Sequence, residues 1–245
     1  MKLTFSLLDW QANAPGIGFA EEWRRWARLP PAIDAESPLM KCSELPMMTA
    51  RRLNSGSRAA VDCGLALLRR QKVDAIVFTS RHGELERNLR ILRALAQGED
   101  LSPTDFAMSV HNAAAGSLTI AAGMPLVSTS LAAGRDSFQQ GLVETAALQA
   151  AGYEQVLLVD FDGAIPAFYQ DRISAQMPHY PYAVAIILTQ GNTLACESSG
   201  ADITDEAQEA SMAQSLQFLH AVLAKRRRFV IPGERMVWRW TCNGG

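Results

Sequence analysis

The 245 residues carry 23 lysines and arginines against 25 aspartates and glutamates, a formal net charge of −2, and 48% of them are apolar. That balance excludes a chain-wide electrostatic affinity for nucleic acid or anionic membranes, and the length suffices to bury a sizeable core. No apolar run nears the ~20 residues of a membrane span, and Asp9 cuts the apolar start short, so neither a signal peptide nor a spanning helix is expected and the expected location is cytoplasmic. The four cysteines, Cys42, Cys63, Cys196 and Cys242, are scattered with no CxxC pair and read as reduced, mostly buried thiols.

In chain order, residues 3–8 read as a first strand. Phe19, Trp23 and Trp26 share one face of a short helix that lays its indoles on the core. Residues 29–48, with Pro30, Pro31, Pro38 and Pro46, form an irregular loop. Asn54, Ser55 and Ser57 offer N-caps to a helix over 57–71, whose apolar stripe is Val61, Leu65 and Leu68. Residues 73–79 are almost continuously apolar, as in a strand buried on both faces. A helix over 84–96 puts Leu85, Leu89, Leu92 and Ala96 in register and leaves Arg87, Arg90 and Arg93 on a solvated side.

Pro103 starts a helical turn over 103–109, and the small residues of a helix over 112–122 permit close approach of another backbone. A strand over 126–130 then turns through Ala132, Ala133 and Gly134 into a long helix closed by Gly152, and a buried strand follows over 155–161. Such a strand-to-helix bend is where many enzymes mount a nucleophile, because helix dipole and free N–H groups stabilise an anion there. The position expected to be exposed at this bend is Leu131, which has no reactive atom. Residues 182–189 and 193–199 read as a hairpin around Gly191-Asn192. The acidic stretch 201–211 reads as a loop or frayed helix start. An amphipathic helix over 212–224 runs into Lys225, Arg226, Arg227 and Arg228, cations that suit a helix C-terminus. Residues 236–241 are an alternating strand with Trp238 and Trp240 on one face. Strands alternating with helices predict an α/β fold, a mainly parallel sheet between helices with a terminal antiparallel hairpin.

The chemistry is sparse. No Gly-rich phosphate loop follows a strand, and His82, His111, His179 and His220 lack metal-ligand spacing, so no cofactor and no metal are expected. Ser128, Ser130 and Ser137 are the hydroxyl candidates, and none sits in a GxSxG elbow. Cys63 lies mid-helix and reads as core. Asp160 and Asp162 are paired at a strand's C-terminal end, where capping or turning the chain is the simpler role.

Residues 127–134, VSTSLAAG, resemble the V-S-T-A-C-A-S-G nucleophile motif of β-ketoacyl synthases, with Leu131 in the cysteine's place. Residues 112–123 are similar to the helix before that motif, and the helix ending at Gly152 and the strand to Asp162-Gly163 match its continuation. The resemblance implies a thiolase-like fold, a single N-terminal-type half over 1–245, with a family-like core at about 45–200 and a C-terminal helix and strand over 205–242. It further implies a chain-length-factor-like subunit, of the kind found in aryl polyene biosynthesis, without catalysis of its own. Such a subunit pairs with a complete ketosynthase in a heterodimer or a dimer of heterodimers, shapes the acyl tunnel, and meets the acyl carrier protein only indirectly. The implied interface comprises Ser109, Val110, His111, Asn112, Ala114, Ala115 and Leu118 on the helix side and Leu126, Val127, Ser128, Thr129 and Ser130 on the strand side. Two alternatives stand beside it: an acyltransferase or thioesterase using Ser130 or Ser128 with His111 as base, and a carrier-docking module using Lys225–Arg228.

Overall fold

A computed structural model of the chain describes residues 1–174, 177–200 and 212–243. The acidic stretch 201–211 and the start of the expected 205–242 piece lie outside the described residues. The chain opens with β1 (Lys2–Asn13), α1 (Ala20–Trp26), α2 (Met47–Ala50) and α3 (Ser55–Arg70). Next come β2 (Ala75–Thr79), α4 (Leu85–Gln97), α5 (Pro103–Ala107), α6 (Ala113–Ala122) and β3 (Val127–Leu131). The remaining elements are α7 (Ser137–Ala150), β4 (Gln155–Asp162), α8 (Ala167–Gln170), β5 (Tyr182–Gly200), α9 (Gln214–Leu223), β6 (Arg228–Pro232) and β7 (Met236–Cys242).

The apolar runs of β2 and β4 need cover on both faces, and they get it as neighbours inside a sheet of order β3-β2-β4-β5-β7-β6, with β1 on the other side of β5. β2 pairs parallel with both β3 and β4, and every pairing beyond β4 is antiparallel. One face packs Phe138, Leu142, Phe218, Trp238 and Trp240 into a core under α7 and α9. The other packs Val61, Leu118, Phe78 and Phe161 under α3 and α6. The expected α/β arrangement is therefore present, its parallel part being β3-β2-β4 and its terminal hairpin β6–β7.

That hairpin is not the one expected at Gly191-Asn192. β5 runs through these residues without reversing: Thr189 lies opposite Ser6 and Leu194 opposite Phe5, so residues 190–193 form a bulge in one strand. Glycine is required there for contact, since a Cβ on Gly191 would sit 1.9 Å from the Ser6 hydroxyl oxygen. β1 is longer than expected because Asp9 sits at a register shift rather than ending the strand. β6 was not expected at all; it begins at Arg228, the last of the four cations assigned to a helix end.

Other departures concern charge and exposure. Arg87 is buried, not solvated, and its guanidinium pairs with Asp105 and donates to the Arg52 carbonyl. Phe19 and Leu92 are exposed, so the apolar faces of α1 and α4 run off the core at these positions. Asn54 is the N-cap residue of α3, but its amide donates to Glu84 at 2.8 Å and does not cap the helix. All four cysteines are free. Among the described residues, no helix is long and apolar enough to cross a membrane.

The close packing of α6 is intramolecular: Leu118 fills the place of a side chain at Gly64 of α3, where a Cβ would meet its Cδ2 at 2.8 Å. Gly64→Val is expected to lower stability by about 1–3 kcal/mol through overpacking. Gly116→Ala, which meets nothing within 4 Å, should raise it by about 0.5–1 kcal/mol. Chemical denaturation of the two variants checks the contrast.

Candidate functional site

The bend after β3 is wider than a nucleophile elbow. Leu131 is the last residue of β3, opposite Thr79, and its side chain packs half-buried against the core instead of standing exposed. Residues 132–136 follow before α7 begins, with Gly134 at φ +57. Ser137 is fully engaged in holding this loop: its hydroxyl accepts from the Ala133 N–H at 3.0 Å and donates to the Gly134 carbonyl at 2.7 Å. Asp136 then ties the loop to the end of the chain. Its buried carboxylate accepts from Gln214 Nε2 (3.0 Å), Trp238 Nε1 (3.2 Å) and the Glu234 N–H (3.0 Å). Gly233 packs so close that a Cβ there would lie 2.0 Å from Asp136 Oδ1. Neither residue carried a sequence signal, because their partners are about 80–100 positions away.

Asp162 caps the turn after β2, as the simpler reading expected, by accepting from the backbone N–H groups of Arg81 and His82, whereas Asp160 accepts from side chains alone. Both are buried where the parallel strands end. Asp160 accepts from Thr79 Oγ1 (2.6 Å), Ser215 Oγ (2.6 Å) and the Tyr182 hydroxyl (3.2 Å). Asp162 accepts from Ser80 Oγ (2.6 Å) and the His82 N–H (2.8 Å), and Tyr182 OH stands 3.4 Å from its second oxygen. Burial, only partly offset by the three hydroxyl donors and reinforced by the charge of Asp162, pushes Asp160 up to about 7. Burial raises Asp162 as well, against the donors from Ser80, His82 and Arg81. The two carboxylates, Tyr182, Arg81, His82 and Gln214 border a cavity of about 50 Å³, room for a water or two. The signal available in the sequence was a pair of carboxylates closing an apolar strand, beside Thr79-Ser80 closing another.

The remaining candidates are dispersed. Ser128, Thr129, Ser130, His111 and Asn112 line one open groove of about 430 Å³ beside β3. His111 Nε2 is engaged with the Ser80 carbonyl at 3.1 Å, and the Ser130 hydroxyl, itself buried, has no hydrogen-bond partner among the described residues. Cys63 is core, its thiol raised far up by burial. His220 Nε2 meets the Leu29 carbonyl at 2.9 Å, and the His179 carbonyl accepts from Ile165 N–H. Among the described residues, no group of three His, Cys, Asp or Glu side chains could hold a metal.

Of the implied interface, Ala114, Ala115 and Leu118 face inward and are buried against α3. Their small side chains serve close packing within this chain. Val110, Asn112, Val127 and Ser128 are exposed, and Ser109, His111, Leu126, Thr129 and Ser130 are half-buried. Among the described residues β3 bonds only to β2, so its other side is an open edge. The Ser80 N–H donates to the Leu131 carbonyl, at 3.3 Å. By strand alternation Val127 and Thr129 also direct their backbone groups to β2, and Ser128 and Ser130 direct theirs outward.

The family profile "Beta-ketoacyl synthase, N-terminal domain" matches residues 23–241, a wider span than the 45–200 expected. The chain belongs to that family. Among solved structures it is similar to one chain of the ketosynthase ApeO in complex with its chain length factor ApeC from Xenorhabdus doucetiae. The identity is 57%, the TM-score 0.94, and the match covers 98% of this chain and 99% of that one. It is also similar to a chain of the ishigamide ketosynthase/chain length factor, at 15% identity and a TM-score of 0.77 over 98% and 100% of the two chains. A chain of AntDE:AntF, a type II polyketide synthase acyl-carrier protein in complex with its ketosynthase bound to the hexaketide, matches at 10% and 0.66 over 99% and 100%. These last two likenesses show the fold alone. No curated protein matches the chain. The resemblance to chain-length-factor-like β-ketoacyl synthase homologues and the thiolase-like fold it implied are borne out.

Because the folded state holds Asp160 protonated up to about 7, its contribution to stability is complete below the ordinary aspartate value near 4 and is lost as pH rises through 7. Asp162 has the same sign. Melting temperature should therefore fall between pH 5 and 8, and Asp160→Asn, whose amide mimics the neutral acid, should flatten part of that slope; an unchanged slope would refute the assignment.

Proposed function

We propose that this chain is the non-catalytic, chain-length-factor-like partner of a complete β-ketoacyl-[acyl carrier protein] synthase. In this role it stabilises that enzyme and walls part of its acyl tunnel, in aryl polyene or related fatty-acid-like synthesis. The observation that carries the reading is the open edge of β3 next to Leu131. A leucine can neither form a thioester nor be activated by a helix dipole. The edge beside it presents the backbone of Ser128 and Ser130 with no charge, proline or bulge in Val127–Leu131 to discourage pairing.

The other free edges are protected. β1 carries two register shifts, and Arg70 of α3 donates to its Trp10 carbonyl at 3.3 Å. β6 is flanked by Arg228 and ends at Pro232. Pairing β3 with its counterpart in a related subunit would continue the sheet across a pseudo-two-fold axis. It would also cover the exposed Val127 and the groove containing His111, Ser128 and Ser130. The 57% identity over nearly the full length of a chain from a ketosynthase–chain length factor complex supports the same role.

The acyltransferase reading is disfavoured because His111 is held by Ser80 and no base reaches Ser130. Carrier docking through Lys225–Arg228 is disfavoured by distance, since β6 and β3 lie at opposite ends of the sheet.

Ser128→Pro removes an outward N–H while leaving the β2 ladder intact. It should weaken copurification with the cognate ketosynthase by about tenfold or more, from lost and unsatisfied hydrogen bonds, with melting of the chain little changed. Full retention of the complex would refute the edge-pairing mode. Incubation of the purified chain with an acyl thioester should add no acyl mass by intact mass spectrometry. A stoichiometric adduct abolished by Ser130→Ala would restore the enzyme reading.

A further inference from the structure

The bulge in β5 opens the molecule far from the β3 edge. The β4 ladder ends at Gln155–Thr189 and the β7 ladder begins at Leu194–Cys242. Residues 190–193 lie between them outside the β1 ladder, with Thr193 Oγ1 bonded to the Phe5 carbonyl at 3.3 Å. Together with the end of α9 this leaves a groove of about 860 Å³, within the range of small-molecule sites. Leu7 and Val222 form its apolar side over the buried Leu194, Lys225 and Arg227 its cationic side, and Thr193, Cys242 and Asn243 the rest; no carboxylate lines it among the described residues.

Neither cation forms an ion pair among the described residues. Lys225 is also strained. It has φ 54, the only non-glycine residue with positive φ among those described. The α9 chain ends there with Arg226 N–H bonded to the Ala221 carbonyl at 2.9 Å and Lys225 N–H to Val222 at 3.0 Å. That turn is normally supplied by glycine. A lysine at this position lines the groove at a cost to the backbone.

We propose that this groove binds a linear aliphatic carboxylate. The carboxylate is taken by Lys225 and Arg227, whose charges it complements, and the chain lies on the half-buried Leu7 and Val222, whose remaining apolar surface it covers. The site is independent of partner pairing, because the sheet order places it several strands from β3.

Isothermal titration of the whole chain, in whichever assembly it purifies, with decanoate, decanol and decyl phosphate below their micellar ranges tests the proposal. Saturable decanoate binding is expected, about tenfold weaker for decanol and for Lys225→Gly or Arg227→Ala through loss of a charge-assisted hydrogen bond. Lys225→Gly relieves the strained turn, so its melting temperature should not fall even as affinity does, which separates loss of the site from loss of fold. The proposal is overturned if decanoate shows no saturable binding, if decanol matches it, if both variants bind as wild type does, or if decyl phosphate binds tenfold more tightly than decanoate.

Discussion

A single strand of 19 residues, β5, has to satisfy three others, and the rest of the sheet is arranged around that demand. Its first part pairs with β4 on one side and β1 on the other; its second part keeps β1 but exchanges β4 for β7. Two straight ladders of different composition cannot share one strand without a local correction in twist and register. The correction is the bulge at residues 190–193, made possible by a glycine packed on Ser6. Through it a parallel core, β3-β2-β4, is joined to the antiparallel end carrying β6 and β7 as one continuous sheet.

Three buried carboxylates lie where these parts meet. Asp160 and Asp162 lie at the end of β4, and their donors come from β2, β5 and α9. Asp136, on the loop after β3, reaches α9 and the β6–β7 hairpin. A buried carboxylate is tolerated only when its oxygens are satisfied, so each of these groups fixes the relative position of the elements that supply its donors. The loop between β3 and α7 is thereby tied to the C-terminal part of the sheet.

The consequence is a molecule whose chemistry is that of surfaces. Among the described residues, the sheet edge without charge, proline or bulge is β3, and it adjoins the groove bordered by His111 and Ser130. Unpaired backbone groups and exposed Val127 favour addition of another strand.

Patterns carried by neighbours in sequence were legible in advance: the apolar runs of β2 and β4, the alternation of β7, the small residues of α6, and leucine in place of a reactive cysteine. Each depends on local periodicity or on the identity of one side chain, which a chain displays before it folds. Contacts between distant residues were not legible. Gly191 resembles a hairpin turn until β1 is laid against it, Arg87 resembles a surface arginine until Asp105 is placed, and the alanines of α6 resemble an interface until α3 occupies that face. The amino-acid sequence by itself determined the element types and the kinship. Only the tertiary structure decided which edge stays open, which carboxylates lose their water and which groove gathers cations, because these properties belong to groups brought together across the fold rather than along the chain.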